Sequence, residues 1–213
     1  MGESYPQINS ITKGPRDTNF ELLRIIAMFM VLIVHADFYT LGGPSFTDFI
    51  DNPINSWART LFQASSRGCV NIFVMISGWF GIRATLKGAL SFLFQCFYFY
   101  FGILIVSFLL GYESINLHNF ATCLCLNDTT GWFIKSYLAL YILSPVLNKF
   151  LENSSKQQIL FVLIAFYCLQ TIYTFTKATP YIASGYSPFS FIGLYILARF
   201  IKSYLSGYYK WGG

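Results

Sequence analysis

The stretch "ELLRIIAMFMVLIVHADF", residues 21–38, sets ionisable side chains at both ends of an apolar run: Glu21 and Arg24 near the start, His35 and Asp37 near the finish. On an α-helix Arg24 and His35 fall on one stripe, within roughly 20° of each other and roughly 16 Å apart along the axis. Glu21 stands one turn before Arg24 and can pair with it. Ionisable groups inside such a run usually face a cavity and mark a pathway or a site. An imidazole is the side chain best suited to proton transfer near neutral pH. Each residue also has a plainer reading: Arg24 can snorkel to lipid headgroups, and His35 can hydrogen-bond a neighbouring helix.

The run belongs to a chain of 213 residues, 55% hydrophobic, 20% aromatic and only 11% charged. A soluble domain of that size cannot hide so much apolar surface. The expected fold class is all-α, a polytopic transmembrane helix bundle forming a single domain over residues 1–213. Six spans are read, at about 20–41, 61–82, 89–111, 132–151, 158–175 and 189–205, each near the length that crosses a hydrocarbon core. The runs are too long and continuous for a transmembrane β-barrel. Residues 1–19 are read as a polar cytoplasmic segment, and the first run lacks a signal-peptide cleavage site, so it is expected to stay as an anchor.

The longer polar connections are 42–60, 112–131 and 176–188; those at 83–88 and 152–157 are short and basic. With both termini in the cytoplasm, Lys13, Arg16, Arg83, Lys87, Lys149, Lys156, Lys202 and Lys210 lie inside, against Arg59 and Lys177 outside; that asymmetry satisfies the positive-inside rule. Arg24, Arg67, Lys135 and Arg199 fall within or at the edges of spans. The cations are scattered at helix ends, which excludes a nucleic-acid surface. The cysteines form no disulfide framework: Cys69, Cys96 and Cys168 sit in apolar runs, and Cys123 and Cys125 in a loop make too weak a pattern for a metal, so no metal site is expected.

The spacing in "RIIAMFMVLIVH" resembles the first helix of the integral-membrane acyltransferase-3 family, which includes bacterial O-acetyltransferases of surface polysaccharides. "RGCVNIFVMISGWFGIR", 67–83, is similar to that family's second-helix signature, an aromatic run followed by Ile-Ser-Gly and a basic residue. "GWFIKSYLALYILSPVLNKFL", 131–151, resembles its Trp-Phe…Tyr…Leu-Tyr…Pro helix, and "FIGLYILARFIKSYL" fits more loosely. Members usually carry more helices than are read here, so the resemblance is to a truncated or abbreviated member. The family often shows R-x-x-R after the second or third helix; here Arg83 and Lys87 stand at R-x3-K spacing.

The resemblance implies transfer of an acyl group, most often acetyl, from cytoplasmic acyl-CoA to a hydroxyl of a surface or envelope glycan, in the bacterial inner membrane. Acyl-CoA is then a co-substrate, with no permanently bound cofactor. Arg24, Arg83 and Lys87 would take its phosphates, since a guanidinium donates two parallel hydrogen bonds. His35 would take the proton of the acceptor hydroxyl as catalytic base. The roughly 16 Å from Arg24 to His35 is comparable with the reach of the pantetheine arm. Asn71, Ser77, Trp132 and Tyr137 are the alternatives for the oxyanion donor; Asn71 and Ser77 could equally pack against other helices. Arg67 could pair with Asp37 or an outer acidic loop residue, or bind the acceptor, and Lys135 could snorkel or bind it. The rival functions are a transporter or flippase using the same polar groups, and a structural subunit in which they only join helices.

Overall fold

The computed structural model describes residues 18–39, 42–124, 131–176, 185 and 187–209, with the backbone alone at 37–39 and 208–209. The sequence readings on the Asp37 side chain, on Cys125 and Lys177, and on residues 177–184 and 186 of the 176–188 connection lie outside them. No strand occurs among the described residues. Backbone contacts divide them into two compact units, one ending at Ser77 and one beginning at Gly78.

In the first unit the apolar run forms helix α1, Thr18–Ile33, which widens into a π-helical segment, Val34–Tyr39. The connection read as a loop is largely helical. Ser45 caps α2 (Phe46–Asp51): its hydroxyl accepts from the Asp48 amide at 3.2 Å, and its own amide donates to Asp48 Oδ2 at 2.7 Å. This reciprocal box satisfies two otherwise orphaned donors. After Asn52, Pro53 opens α3 (Pro53–Ser66), where its missing N–H and fixed φ cost nothing.

The expected span at 61–82 is therefore not one helix. The polar stretch Ser65-Ser66-Arg67-Gly68 holds a turn at Arg67–Gly68, and the apolar part forms a separate helix α4, Cys69–Phe80, of 12 residues. Helix α3 is turned inside out. Its buried residues are Ser56, Gln63 and Ser66, while Ile54, Trp57, Leu61 and Phe62 are exposed. The elements it packs on are α1, α2 and the π segment.

In the second unit Thr85 caps the 24-residue α5 (Leu86–Leu109), its hydroxyl accepting from the Gly88 amide at 3.1 Å. The 112–131 connection, read as a loop, contains α6 (Leu117–Cys123), which packs on α5 with Phe120 edge-on to Phe97 and Phe101. His118 thus lies on a short helix. Helix α7 (Trp132–Asn153) carries Pro145 in its interior. Proline has no N–H for the carbonyl four residues back, and the Ser144 hydroxyl donates to that Tyr141 carbonyl at 2.7 Å. Helix α8 runs Lys156–Thr176. Helix α9 (Pro188–Phe200) starts at the Ser187 cap and passes into a π-helical segment, Ile201–Leu205, and a short 3-10 turn, Ser206–Tyr209.

The core of this unit is α9, buried along most of its length against α7 and α8. Gly78 permits the chain to approach it: a Cβ there would lie 2.8 Å from Ala198 Cβ and 2.9 Å from the Tyr195 carbonyl oxygen. The Tyr195 hydroxyl accepts from the Ile82 amide at 3.0 Å and donates to Asn148 Oδ1 at 2.6 Å, and Asn148 Nδ2 donates to the Ile82 carbonyl at 2.9 Å. Both backbone groups of Ile82 are thereby satisfied by side chains of α7 and α9.

Among the described residues three helices are long and apolar enough to cross a membrane: Thr18–Ala36, which includes the first π residues, α5 and α8. Their large apolar side chains, such as Phe29, Leu32, Phe94, Ile103, Phe161 and Ile164, are exposed. An apolar surface of that extent requires a hydrocarbon solvent, and the chain is a membrane protein. The other three expected spans miss that measure. α4 has 12 residues and α9 13 before its geometry changes, and α7 has the length but carries Lys135, Lys149 and Glu152.

Candidate active site

Helix α1 holds Arg24 in its second turn, with Nη1 2.7 Å from Glu21 Oε1. The pairing expected from the spacing is present. Both side chains are more than a third exposed, so the pair contributes little to stability.

His35 is the second residue of the π segment. The α-helical geometry that places it on the stripe of Arg24 ends at Ile33, so the rotation from one to the other is set by a wider turn. Its Nδ1 lies 2.8 Å from the Val31 carbonyl oxygen. A carbonyl only accepts, so Nδ1 carries the proton. In the neutral ring Nε2 is then the basic nitrogen, the arrangement by which a backbone carbonyl fixes a histidine tautomer.

Around these residues the first unit supplies polar groups that periodicity in the apolar runs does not reveal. The buried face of α3 is Ser56, Gln63 and Ser66, and α3 packs on both α1 and the π segment. Residues 56, 63 and 66 recur at helical spacing, which was the available signal in a stretch read as partly loop. Arg59, on the same helix, donates to the Gly42 carbonyl at 2.7 Å.

The expected oxyanion donors and acceptor-binding residues separate clearly. Ser77 donates to the Phe73 carbonyl of its own helix at 3.0 Å, which uses its one proton. Asn71 Oδ1 is buried with no hydrogen-bond partner; that oxygen only accepts, so what α4 leaves unspent there is an acceptor. Arg67 is exposed at the turn between α3 and α4, its amide donating to Gln63 O at 3.1 Å.

The remaining residues belong to the second unit. Arg83 and Lys87 are exposed at the N-terminal end of α5. The Arg83 carbonyl accepts from the Tyr141 hydroxyl at 3.4 Å, and the Tyr141 hydroxyl oxygen in turn accepts from the Thr85 amide at 3.0 Å. Trp132 and Lys135 lie in the first turn of α7. Trp132 meets Phe133 edge to face, and Tyr137 stacks on Phe133 with centroids 5.8 Å apart and contacts Phe92 at 5.4 Å. These rings form an aromatic cluster where α5 and α7 pack.

Among the described residues no group of His, Cys, Asp and Glu has the geometry to hold a metal ion. The chemistry on offer is a histidine base with a fixed tautomer and arginine and lysine side chains able to hold anions.

No curated protein and no solved structure matches the chain. Residues 17–211 match a family model described as an acyltransferase domain, which spans both units. By that match, over most of its length, the chain belongs to the acyltransferase-3 family.

Proposed function

We propose that this acyltransferase moves an acyl group, chiefly acetyl, from cytoplasmic acyl-CoA to a hydroxyl of a surface or envelope glycan. The observation that carries the reading is the Nδ1 bond of His35 to the Val31 carbonyl, which leaves Nε2 as the base. In the transfer Nε2 takes the acceptor's hydroxyl proton as its oxygen attacks the thioester carbonyl. The tetrahedral intermediate then expels the CoA thiolate, which recovers the proton from the imidazolium. Asn71, Trp132 and Tyr137 stay as the alternatives for the oxyanion donor, with Ser77 less available because its proton is given to the Phe73 carbonyl. Arg24, Arg83 and Lys87 are assigned to the donor's phosphates; at the start of α5 the helix dipole reinforces the two cations in favouring an anion. Arg67 and Lys135 are assigned to the acceptor side.

The same reading takes six spans in a bacterial inner membrane, both termini in the cytoplasm, with α4, α7 and α9 crossing alongside the three more apolar helices. The test is His35→Ala, scored for acetylation of the host's envelope glycan by mass spectrometry at equal expression. Loss of the acetylated product is expected. Unchanged acetylation would remove His35 from the chemistry, and substrate uptake without acetylation in the parent would favour a transporter.

A further inference from the structure

Helix α9 contains a buried charge that the proposed chemistry does not use. Arg199 is 6% exposed. Its Nε has no hydrogen-bond partner, and no ion pair joins its guanidinium to a carboxylate among the described residues. An arginine cannot shed its proton to escape burial, and a buried charge without a partner is strongly unfavourable. The site therefore calls for an anion.

A second cation stands one turn on. Lys202 Nζ donates to the Trp79 carbonyl at 2.8 Å and lies 5.9 Å and 5.8 Å from the Trp79 and Phe80 ring centroids. That lysine caps the C-terminus of α4, whose dipole supplies only about half a negative charge. Two full positive charges face that half charge, so the pair stays uncompensated after the cap is counted. Gly81 adds an independent observation. Its φ is +78°, and a Cβ there would meet Arg199 Nη1 at 3.0 Å. The backbone thus comes up to the guanidinium without a side chain to cover it.

We propose that Arg199 and Lys202 form a phosphate-binding site at the junction of α4 and α9, with the guanidinium as its inner donor. A planar fork backed by a point charge suits a phosphate ester. The phosphate is that of the acyl donor or of an anionic lipid headgroup. The first source rests on the acyl-CoA reading above and adds a contact for that substrate; the second does not depend on it.

The test uses the full chain in nanodiscs, with free coenzyme A as the soluble probe and phosphatidylglycerol as the lipid probe. Parent, R199Q, R199K and K202Q are compared by calorimetry and native mass spectrometry. For the donor, R199Q and K202Q weaken coenzyme A binding about tenfold or more, and R199K recovers part of the loss. A parent that ignores coenzyme A but retains phosphatidylglycerol, which R199Q sheds, upholds the phosphate site and overturns the acyl-donor reading instead. Variants that hold both probes as tightly as the parent, or a parent that holds neither, overturn the site. If R199Q does not fold, K202Q is judged by the same outcomes, since its side chain is only partly buried.

Discussion

Tyr195 and Asn148 are joined by a 2.6 Å hydrogen bond between α9 and α7, and between them they bind both backbone groups of Ile82. Tyr195 is fully buried. Tyr195→Phe keeps the ring but leaves the Ile82 amide without its acceptor, and is expected to cost about 1–3 kcal/mol. Asn148→Ala should cost a similar amount, and the double variant less than the sum, because the three groups act together. Reversible unfolding in mixed detergent micelles measures all three. Additive losses would show that the bonds act independently.

Binding and chemistry should separate between the two ends of the α1 run. His35→Ala is expected to abolish transfer while leaving coenzyme A binding nearly intact, because the imidazole acts on the acceptor. Arg24→Ala should weaken binding by roughly 1.5–3 kcal/mol, the usual worth of a charge-assisted hydrogen bond, and Arg24→Lys should recover only part of it. Calorimetry decides. If Arg24→Ala binds as the parent does, Arg24 is an interface residue paired with Glu21.

The cap of α2 should fail in acid. The Ser45 amide and then its hydroxyl hold the Asp48 carboxyl below its ordinary value of 3.8, with Arg59 adding a smaller attraction. A depressed carboxyl contributes stability that is complete above the unfolded value and is lost as pH falls through the folded one. Protection of the Phe46–Asp51 amides, taken relative to their intrinsic exchange rates, should therefore fall below about pH 3.8, and Asp48→Asn should show the reduced protection at neutral pH. Protection in the parent that stays constant across that range would deny the carboxylate its role.

Orientation can be read at Ser114, exposed between α5 and α6. With the N-terminus inside, Ser114→Cys should react with an impermeant thiol reagent added to intact cells. The native Cys123 is a poor reporter because it is buried on α6. Labelling of the new thiol only after lysis would reverse the topology.

The helices the sequence announced are those whose apolar residues form unbroken runs. α5 and α8 begin and end within a few residues of the reading from 89–111 and 158–175, because nothing but helix satisfies a backbone placed in hydrocarbon. α3 was hidden for the opposite reason. Its exposed Ile54, Trp57, Leu61 and Phe62 are interleaved with polar residues, and the polar ones are buried, so no apolar run marks it. The Glu21–Arg24 pair follows from spacing alone. The tautomer of His35 does not, since it rests on where one carbonyl points after the helix widens at Val34. Nor could Arg199 be told from an ordinary interface cation, because its burial depends on packing contributed by helices distant in the chain.

Pro145 and Ser144 bear on the order in which this chain can change. The Tyr141 carbonyl has the serine hydroxyl as its donor because the proline offers none. Replacing the proline first gives that oxygen a second donor, and its two lone pairs can accept both. Replacing the serine first leaves that part-buried oxygen without a donor, at about 1–3 kcal/mol. Each substitution is simple, yet only one sequence of the two avoids an unstable intermediate. A lineage carrying this proline therefore keeps its serine until the proline is gone.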